Sequence, residues 1–346
     1  MPRAMRYKLL GHSGLRVSEL ALGTMTFGAD WGWGADRDES KKQWDLYANL
    51  GGNFIDGANR YTDGTSEKLI GEFIAADRDH WVVATKYTLF DRKGDPNFSG
   101  NHRKNLMRSV KDSLTRLKTD HLDLLWLHMW DFTTGIDEVM RSLDDLVRQG
   151  TVHYIGISDT PAWIVSQANM LATLRGWTPF TALQLRYSLI DRTAERDLLP
   201  MARALDLGVT PWSVLGAGVL TGKYNIDPKA TGRAAAGAAK QPRNLAIAEV
   251  VQRQAARLGA TPSQVALAWA MAQPGVILPI LGARDAAQLA DTLGALDVTL
   301  DDEARTALET ASAFELGFPH DFLSTPAMRD VASGETWKIL DNHHRA

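Results

Sequence analysis

Asp56, Tyr61, Lys86 and His128 supply a carboxylate, a phenol, an ammonium and an imidazole. Asp56, Lys86 and His128 each close a short apolar run, and Tyr61 follows Asp56 after one short loop. A lysine ending the run Trp81-Val82-Val83-Ala84-Thr85 is costly to bury unless a carboxylate pairs with it, and Asp56 is the natural partner. An ammonium beside a phenol favours the phenolate, which predicts a lowered pKa for Tyr61 and a more transferable proton. A carbonyl that accepts a hydride needs that proton on its oxygen, and the imidazole of His128 can donate a hydrogen bond to the same atom. Taken singly, Asp56 reads equally well as a helix cap, Tyr61 as a packed aromatic, Lys86 as a strand-end surface charge and His128 as a satisfied core imidazole. Their joint occurrence on consecutive strands predicts a proton-donating site.

Other chemistries find less support. The chain has no cysteine, which excludes a disulfide scaffold, a thiolate zinc site and a cysteine nucleophile. Its histidines are scattered without an HExxH pair, and the doublet His343-His344 reads as solvated tail, so no metal is expected. A net charge of −3 with no basic stripe makes neither nucleic acid nor an anionic membrane an expected partner. The opening MPRAMRYKLL lacks the apolar run of a signal peptide, and no stretch approaches 18 uninterrupted apolar residues, so a cytoplasmic protein acting on a small molecule is expected.

The elements that must position these residues repeat. After a piece whose Gly11-His12-Ser13-Gly14 reads as a hairpin turn, β-prone runs at 19–23, 53–56, 81–86, 122–128, 152–157, 180–185, 208–212 and 276–280 alternate with amphipathic stretches. Asn105-Leu106-Val110-Leu114-Leu117 and Val139-Leu143-Leu146-Val147 are two such helical stripes. Eight βα units predict an α/β fold, a (β/α)8 TIM barrel, whose strand C-termini face the active site. The chain is expected to be one domain, 1–346, with a barrel core at about 19–312. Two segments interrupt the repeat: a long loop after strand seven, 225–242, in which 234–239 is either helical or disordered, and a tail, 313–346, expected over the active-site mouth. The last helix is expected to be capped by Thr299 or Asp301.

These motifs together resemble the aldo-keto reductase superfamily. The segment from Gly51-Gly52-Asn53-Phe54-Ile55-Asp56 through Tyr61 to Gly64-Thr65-Ser66-Glu67-Lys68-Leu69-Ile70-Gly71 is similar to the signature after the second strand. The resemblance extends through Ala84-Thr85-Lys86, Asp123 to His128, Gly156-Ile157-Ser158 and Leu220 to Tyr224, up to about residue 312. It implies Asp56, Tyr61, Lys86 and His128 as the catalytic residues, and reduction of an aldehyde or ketone by NADPH, returning NADP+. The run Ser158-Asp159-Thr160-Pro161-Ala162-Trp163 is similar to an aryl-alcohol dehydrogenase-like and polyketide-related branch, which implies a larger substrate. Two positions depart from the family pattern around the site: Gly57 stands where Thr is usual, and Asp159 where Asn is usual.

The resemblance also implies the cofactor contacts. Gly216-Ala217-Gly218-Val219-Leu220-Thr221-Gly222 has the spacing GxGxxxG and no acidic residue about twenty positions on, so a Rossmann assignment fails. Instead Trp212 would stack on the nicotinamide ring, with Ser158, Asp159 and Gln184 around its carboxamide. Ser213, Leu215, Gly218 and Lys223 would approach the pyrophosphate, and Gly23, Thr24 and Met25 would line the first strand's end. Gly282, Arg284, Gln288, Asp291 and Thr292 match the adenosine-phosphate site, where the Arg284 fork and a helix N-terminus would hold a 2′-phosphate; Thr292 replaces the usual adenine-binding Asn. Trp31, Trp33, Tyr87, Phe90, Met129 and Trp130 fall in strand-end loops and are expected to line a substrate pocket for a bulky or aromatic carbonyl. NADPH-binding β-subunits of potassium channels share the implied fold, so an interaction module is the alternative, although no partner-facing surface is marked and the oligomeric state is not legible.

Overall fold

The computed structural model describes residues 2–227, 229–230 and 241–341. The expected hairpin is present: β1 (Tyr7–Leu9) pairs antiparallel with β2 (Arg16–Ser18) across a turn in which Gly11 has a positive φ of 57°. Behind it stand β3 (Ala21–Gly23), β4 (Phe54–Asp56), β5 (Val82–Tyr87), β6 (Leu122–Leu127), β7 (Val152–Ser158), β8 (Ala182–Arg186), β9 (Gly208–Trp212) and β10 (Ile280–Leu281). They form one parallel sheet in the order β10-β3-β4-β5-β6-β7-β8-β9. The circle closes through Val209, whose N–H donates to the Val276 carbonyl at 2.7 Å and whose carbonyl accepts from the Leu278 N–H at 2.8 Å. All eight expected strands are present, and the barrel is nearly closed. The last expected run divides because Pro279 has no N–H for a ladder: residues before it bridge to β9, and Ile280–Leu281 pair with β3.

Helices α1 (Arg37–Asn49), α2 (Thr65–Phe73), α3 (Arg103–Leu117), α4 (Ile136–Arg148), α5 (Ala162–Arg175) and α6 (Leu198–Ala204) alternate with the strands. Then α7 (Lys223–Ile226), α8 (Pro242–Leu258) and α9 (Pro262–Met271) lie between β9 and β10, and α10 (Ala286–Leu293) and α11 (Asp302–Ala311) follow. The stripes read from spacing are the buried faces, with Leu106, Val110 and Leu117 on α3 and Val139, Leu143 and Leu146 on α4. Asp301 is the cap of α11, accepting from the Ala304 N–H. The loop expected over 225–242 is shorter at both ends, since α7 runs to Ile226 and Pro242 is the first residue of α8; its 234–239 part lies outside the described residues. Among the described residues no helix is long and apolar enough to cross a membrane.

Strand alternation separates two cores. Outward residues such as Ile55, Val83, Leu125, Ile157 and Leu183 pack under the helices. Inward residues Ala21, Phe54, Val82, Ala84, Leu124, Trp126, Ala182 and Leu278 fill the barrel, and Leu10 and Val17 of the hairpin plug its N-terminal end. One alternation step above this apolar layer, the same faces carry Asp56, Lys86, His128, Ser158 and Gln184. The tail begins on that C-terminal face, with Phe314 against the guanidinium groups of Arg192 and Arg196 and the Glu315 carbonyl accepting from Arg196. Beyond Glu315, the hydrogen bonds, ion pairs and ring contacts of the described residues stay within the tail, in α12 (His320–Ser324), α13 (Pro326–Ser333) and the turn after them.

Gly156 on β7 sits where the fully buried Trp126 ring leaves no room for a Cβ. A rigid indole cannot yield as a flexible side-chain end would. Gly156→Ala should therefore destabilise the chain by about 1–3 kcal/mol, the usual range for overpacking, seen as a lower urea midpoint with unchanged slope. An unchanged midpoint would mean that the barrel interior is loose.

Candidate active site

The polar layer is assembled by strand ends in register. Gly23 on β3 pairs with Asp56, Asp56 on β4 with Ala84, and Lys86 on β5 with Trp126. The inward faces of three neighbouring strands therefore present Asp56, Lys86 and, just past β6, His128 on one side of the mouth. The loop after β4 returns Tyr61 to this point. Thr62 and Asp63 have positive φ there, and the buried Thr62 hydroxyl donates to the Phe27 carbonyl at 2.6 Å while accepting from the Ser66 N–H at 3.0 Å.

Lys86 is fully buried. Its Nζ donates to Asp56 Oδ2 at 2.6 Å, to the Gly57 carbonyl at 2.8 Å and to the Tyr61 hydroxyl at 3.3 Å, so its donors are satisfied. Burial by itself would discharge the amine, but Asp56 and the Tyr61 oxygen outweigh it and hold the ammonium above its ordinary value. Asp56 is held in turn by Gln184, whose Nε2 donates to Oδ1 at 3.0 Å. The Tyr61 and His128 rings meet edge to face, 6.0 Å apart at 83°. The phenol departs from expectation. Although part of Tyr61 faces solvent, its enclosure raises the pKa, Lys86 pulls it down, Asp56 pushes it up, and the net shift is upward. Burial, then the charge of Lys86, holds His128 well below its ordinary value, which keeps the imidazole neutral.

Beside this cluster a cleft of about 480 Å³ opens at the ends of β7, β8 and β9, lined by Asp159, Gln184, Arg186 and Trp212 among others. The half-exposed Trp212 indole donates to Asp159 Oδ1 at 3.2 Å. Asp159 has a positive φ of 41° and opens to the cleft. Surrounding protein raises its pKa against the Trp212 hydrogen bond and the charges of Lys86 and Arg186. Ser158 Oγ is buried without a hydrogen-bond partner among the described residues, as is His128 Nδ1. An open indole face, an acceptor and an orphaned hydroxyl at one lip fit the flat, amide-bearing end of a dinucleotide. Past Trp212 the chain turns through positive φ at Ser213, Gly216, Ala217 and Gly218, with half-buried Leu215 within the turn and the Lys223 side chain beside Gly218.

The remaining expected contacts divide. Gly23 and Thr24 pack against β4, the Thr24 N–H and hydroxyl both donating to the Asp56 carbonyl, and Met25 beside them is half-buried. Gly282 and Arg284 are exposed, and Arg284 has no ion pair among the described residues. The α10 N-terminus is already occupied: Glu39 accepts from the Ala286 N–H at 2.6 Å, and Asp285 caps the helix, engaging both the Gln288 N–H and its side chain. Helix-end donors expected to face a phosphate thus meet carboxylates, which leaves the Arg284 fork. Asp291 accepts from Thr261, the cap of α9, and from Gln264 within it, which joins α10 to α9, while the buried Thr292 hydroxyl donates within its own helix.

Of the expected pocket residues, Tyr87 is displaced. β5 continues through it, and because Lys86 faces inward its neighbour must face outward, so Tyr87 lies fully buried in the outer core. Trp31, Trp33, Phe90, Met129 and Trp130 do lie on the mouth loops, and Trp130 packs partly against that core. Trp31 and Phe90 flank Arg60, 5.5 and 4.7 Å from its guanidinium, while Arg60 also pairs with Asp63. Sequence reasoning missed this clamp, although an arginine between aromatic-bearing loops was its available signal. It also missed the bond from Gln184 to Asp56.

Residues 19–313 match the model of the aldo/keto reductase family. Norsolorinic acid reductase of Aspergillus flavus is 38% identical over 96% of this chain and 89% of its own. The aldo-keto reductase ausK of Emericella nidulans is 38% identical over 95% and 87%. Aryl-alcohol dehydrogenase [NADP(+)] of Phanerodontia chrysosporium is 37% identical over 89% and 86%.

Removing one member of the buried pair strands the other. Lys86→Met should lose about 3–5 kcal/mol of stability, and Asp56→Asn combined with Lys86→Met should recover most of it. Urea unfolding of the double-mutant cycle measures the coupling; additive losses would mean that the two charges do not sustain each other.

Proposed function

The chain belongs to the aldo/keto reductase family of carbonyl-reducing oxidoreductases, and from that premise we propose that it reduces an aldehyde or ketone with NADPH and with Tyr61 as proton donor. The carrying observation is the buried relay from Gln184 through Asp56 and Lys86 to the Tyr61 hydroxyl. When bound, NADPH supplies the hydride. Tyr61 holds the proton for the carbonyl oxygen, and Lys86 is placed to hold the phenolate that remains. Asp56 keeps Lys86 charged, Gln184 keeps Asp56 oriented, and the neutral imidazole of His128 offers an N–H to the same carbonyl oxygen. Trp212, Ser158 and Asp159 would hold the nicotinamide end, the turn from Ser213 to Gly218 with Lys223 the pyrophosphate, and Arg284 the 2′-phosphate. Chain 1–346 would act as a single domain. Relatives named for norsolorinic acid and for aryl alcohols, together with Trp31, Trp33, Phe90 and Trp130 at the mouth, support a bulky aromatic carbonyl.

The chain should therefore oxidise NADPH with a higher kcat/KM for an aryl carbonyl than for a three-carbon aldehyde. Tyr61→Phe should bind NADPH yet lose roughly 10²- to 10⁴-fold in turnover; near wild-type turnover would remove Tyr61 from the role. An acid acts while protonated, so reduction should persist through neutral pH and decline only above the ordinary tyrosine value of 10.0. No inflection should appear near the ordinary histidine value of 6.5, because His128 is already neutral there. An acidic limb centred at that value would contradict a neutral His128.

Arg284→Ala should weaken NADPH binding by roughly 10- to 150-fold, the equivalent of about 1.5–3 kcal/mol for charge-assisted hydrogen bonds, and leave NADH binding nearly unchanged. Fluorescence titration with both cofactors separates the outcomes; equal losses would place Arg284 away from the 2′-phosphate.

A further inference from the structure

The opposite end of the barrel carries a cluster that the proposed reaction does not use. His121 immediately precedes β6, and His153 is the second residue of β7. Because Leu122 pairs with Val152, the parallel register stacks the two imidazoles, centroids 4.7 Å apart and planes 21° from parallel. Asp123 completes the group. Its Oδ2 accepts from the Val83 N–H at 2.9 Å and pairs with Arg78 at 2.8 Å, while Oδ1 lies 3.8 Å from His153 Nδ1. One ring nitrogen of each histidine and a carboxylate oxygen of Asp123 lie within 4.8 Å of one another.

A second contact prepares one ligand. His121 Nδ1 is 2.7 Å from Asp120 Oδ1. A carboxylate on one imidazole nitrogen fixes the tautomer with the lone pair on the other and makes that nitrogen a better donor, an arrangement that recurs behind metal-bound histidines.

We propose that His121, His153 and Asp123 form a transition-metal site of the Zn2+ class at the N-terminal face of the barrel, with Asp120 as a positioning residue. Two imidazoles and one carboxylate suit Zn2+ or Cu2+, whereas Mg2+ and Ca2+ require a shell of oxygens that two imidazoles do not supply. Zinc bonds of about 2.0–2.1 Å in tetrahedral geometry need donors about 3.3–3.5 Å apart. The widest pair must therefore close by up to about 1.5 Å, which rotation of the exposed His153 ring would supply. Three protein donors leave a fourth position for water. β6 spans six residues, so the site lies about 20 Å from His128 at roughly 3.3 Å per residue. A bound ion would tie the starts of β6 and β7 together and stabilise the folded chain by mass action.

The test is calorimetric titration of ZnCl2 into the 346-residue chain carrying His343→Ala and His344→Ala, which removes the tail doublet as a competing chelator. One equivalent should bind and raise the melting temperature, and MgCl2 should do neither. His121→Ala and His153→Ala should each lower zinc affinity at least tenfold, and Asp120→Asn by about 10- to 100-fold, as loss of a supporting carboxylate does elsewhere. NADPH turnover without added metal should be unchanged in all three, so failure of this site is distinguishable from failure of the proposed reaction. Absence of zinc binding, or binding unaltered in both histidine variants, overturns the site. Unaltered affinity in Asp120→Asn overturns the positioning role.

Discussion

The Lys86–Asp56 pair sets the terms for the end of the barrel that carries the candidate active site. An ammonium with no exposed surface is tolerated only where its partners are already in place. Here they come from three directions: a carboxylate on the neighbouring strand, the Gly57 carbonyl one residue later, and a phenol delivered by the following loop. The carboxylate needs its own donor, which Gln184 provides from across the barrel. Such a network pins β4, β5, β8 and the Tyr61 loop to one another. It fits only because an apolar layer of Phe54, Ala84, Trp126 and Ala182 closes the barrel beneath it and keeps water out.

Much of this was legible from residue types and spacing. Apolar runs located all eight strands, and polar residues closing three of them located Asp56, Lys86 and His128. Long-range or competing terms hid the rest. The facing of Tyr87 depended on whether β5 ends at Lys86 or one residue beyond, a boundary that apolar patterning does not resolve. The direction of the Tyr61 shift depended on enclosure against charge, and enclosure is a property of the assembled loops. Asp291 and Thr292 aligned with family positions, yet their polar atoms are engaged by α9 and by their own helix. His121 and His153 looked scattered because only the parallel register brings them together.

The opposed influences on Tyr61 suit a proton donor better than a simple lowering of its pKa would. A phenol already ionised at neutral pH has no proton to give. Enclosure shifts Tyr61 further toward its protonated form, while Lys86, 3.3 Å from its oxygen, is positioned where negative charge would develop in the proposed proton transfer. In the proposed reaction that stabilisation would grow as the proton leaves, which is the condition for lowering a barrier as opposed to tightening binding alone. The same logic requires His128 to be neutral. A second cation beside Lys86 would pull the phenol toward ionisation before a substrate arrived, and burial together with the charge of Lys86 prevents it. On this reading the ammonium has a double effect: it favours the phenolate once formed, and by repelling a proton from His128 it keeps the resting site from carrying too much positive charge.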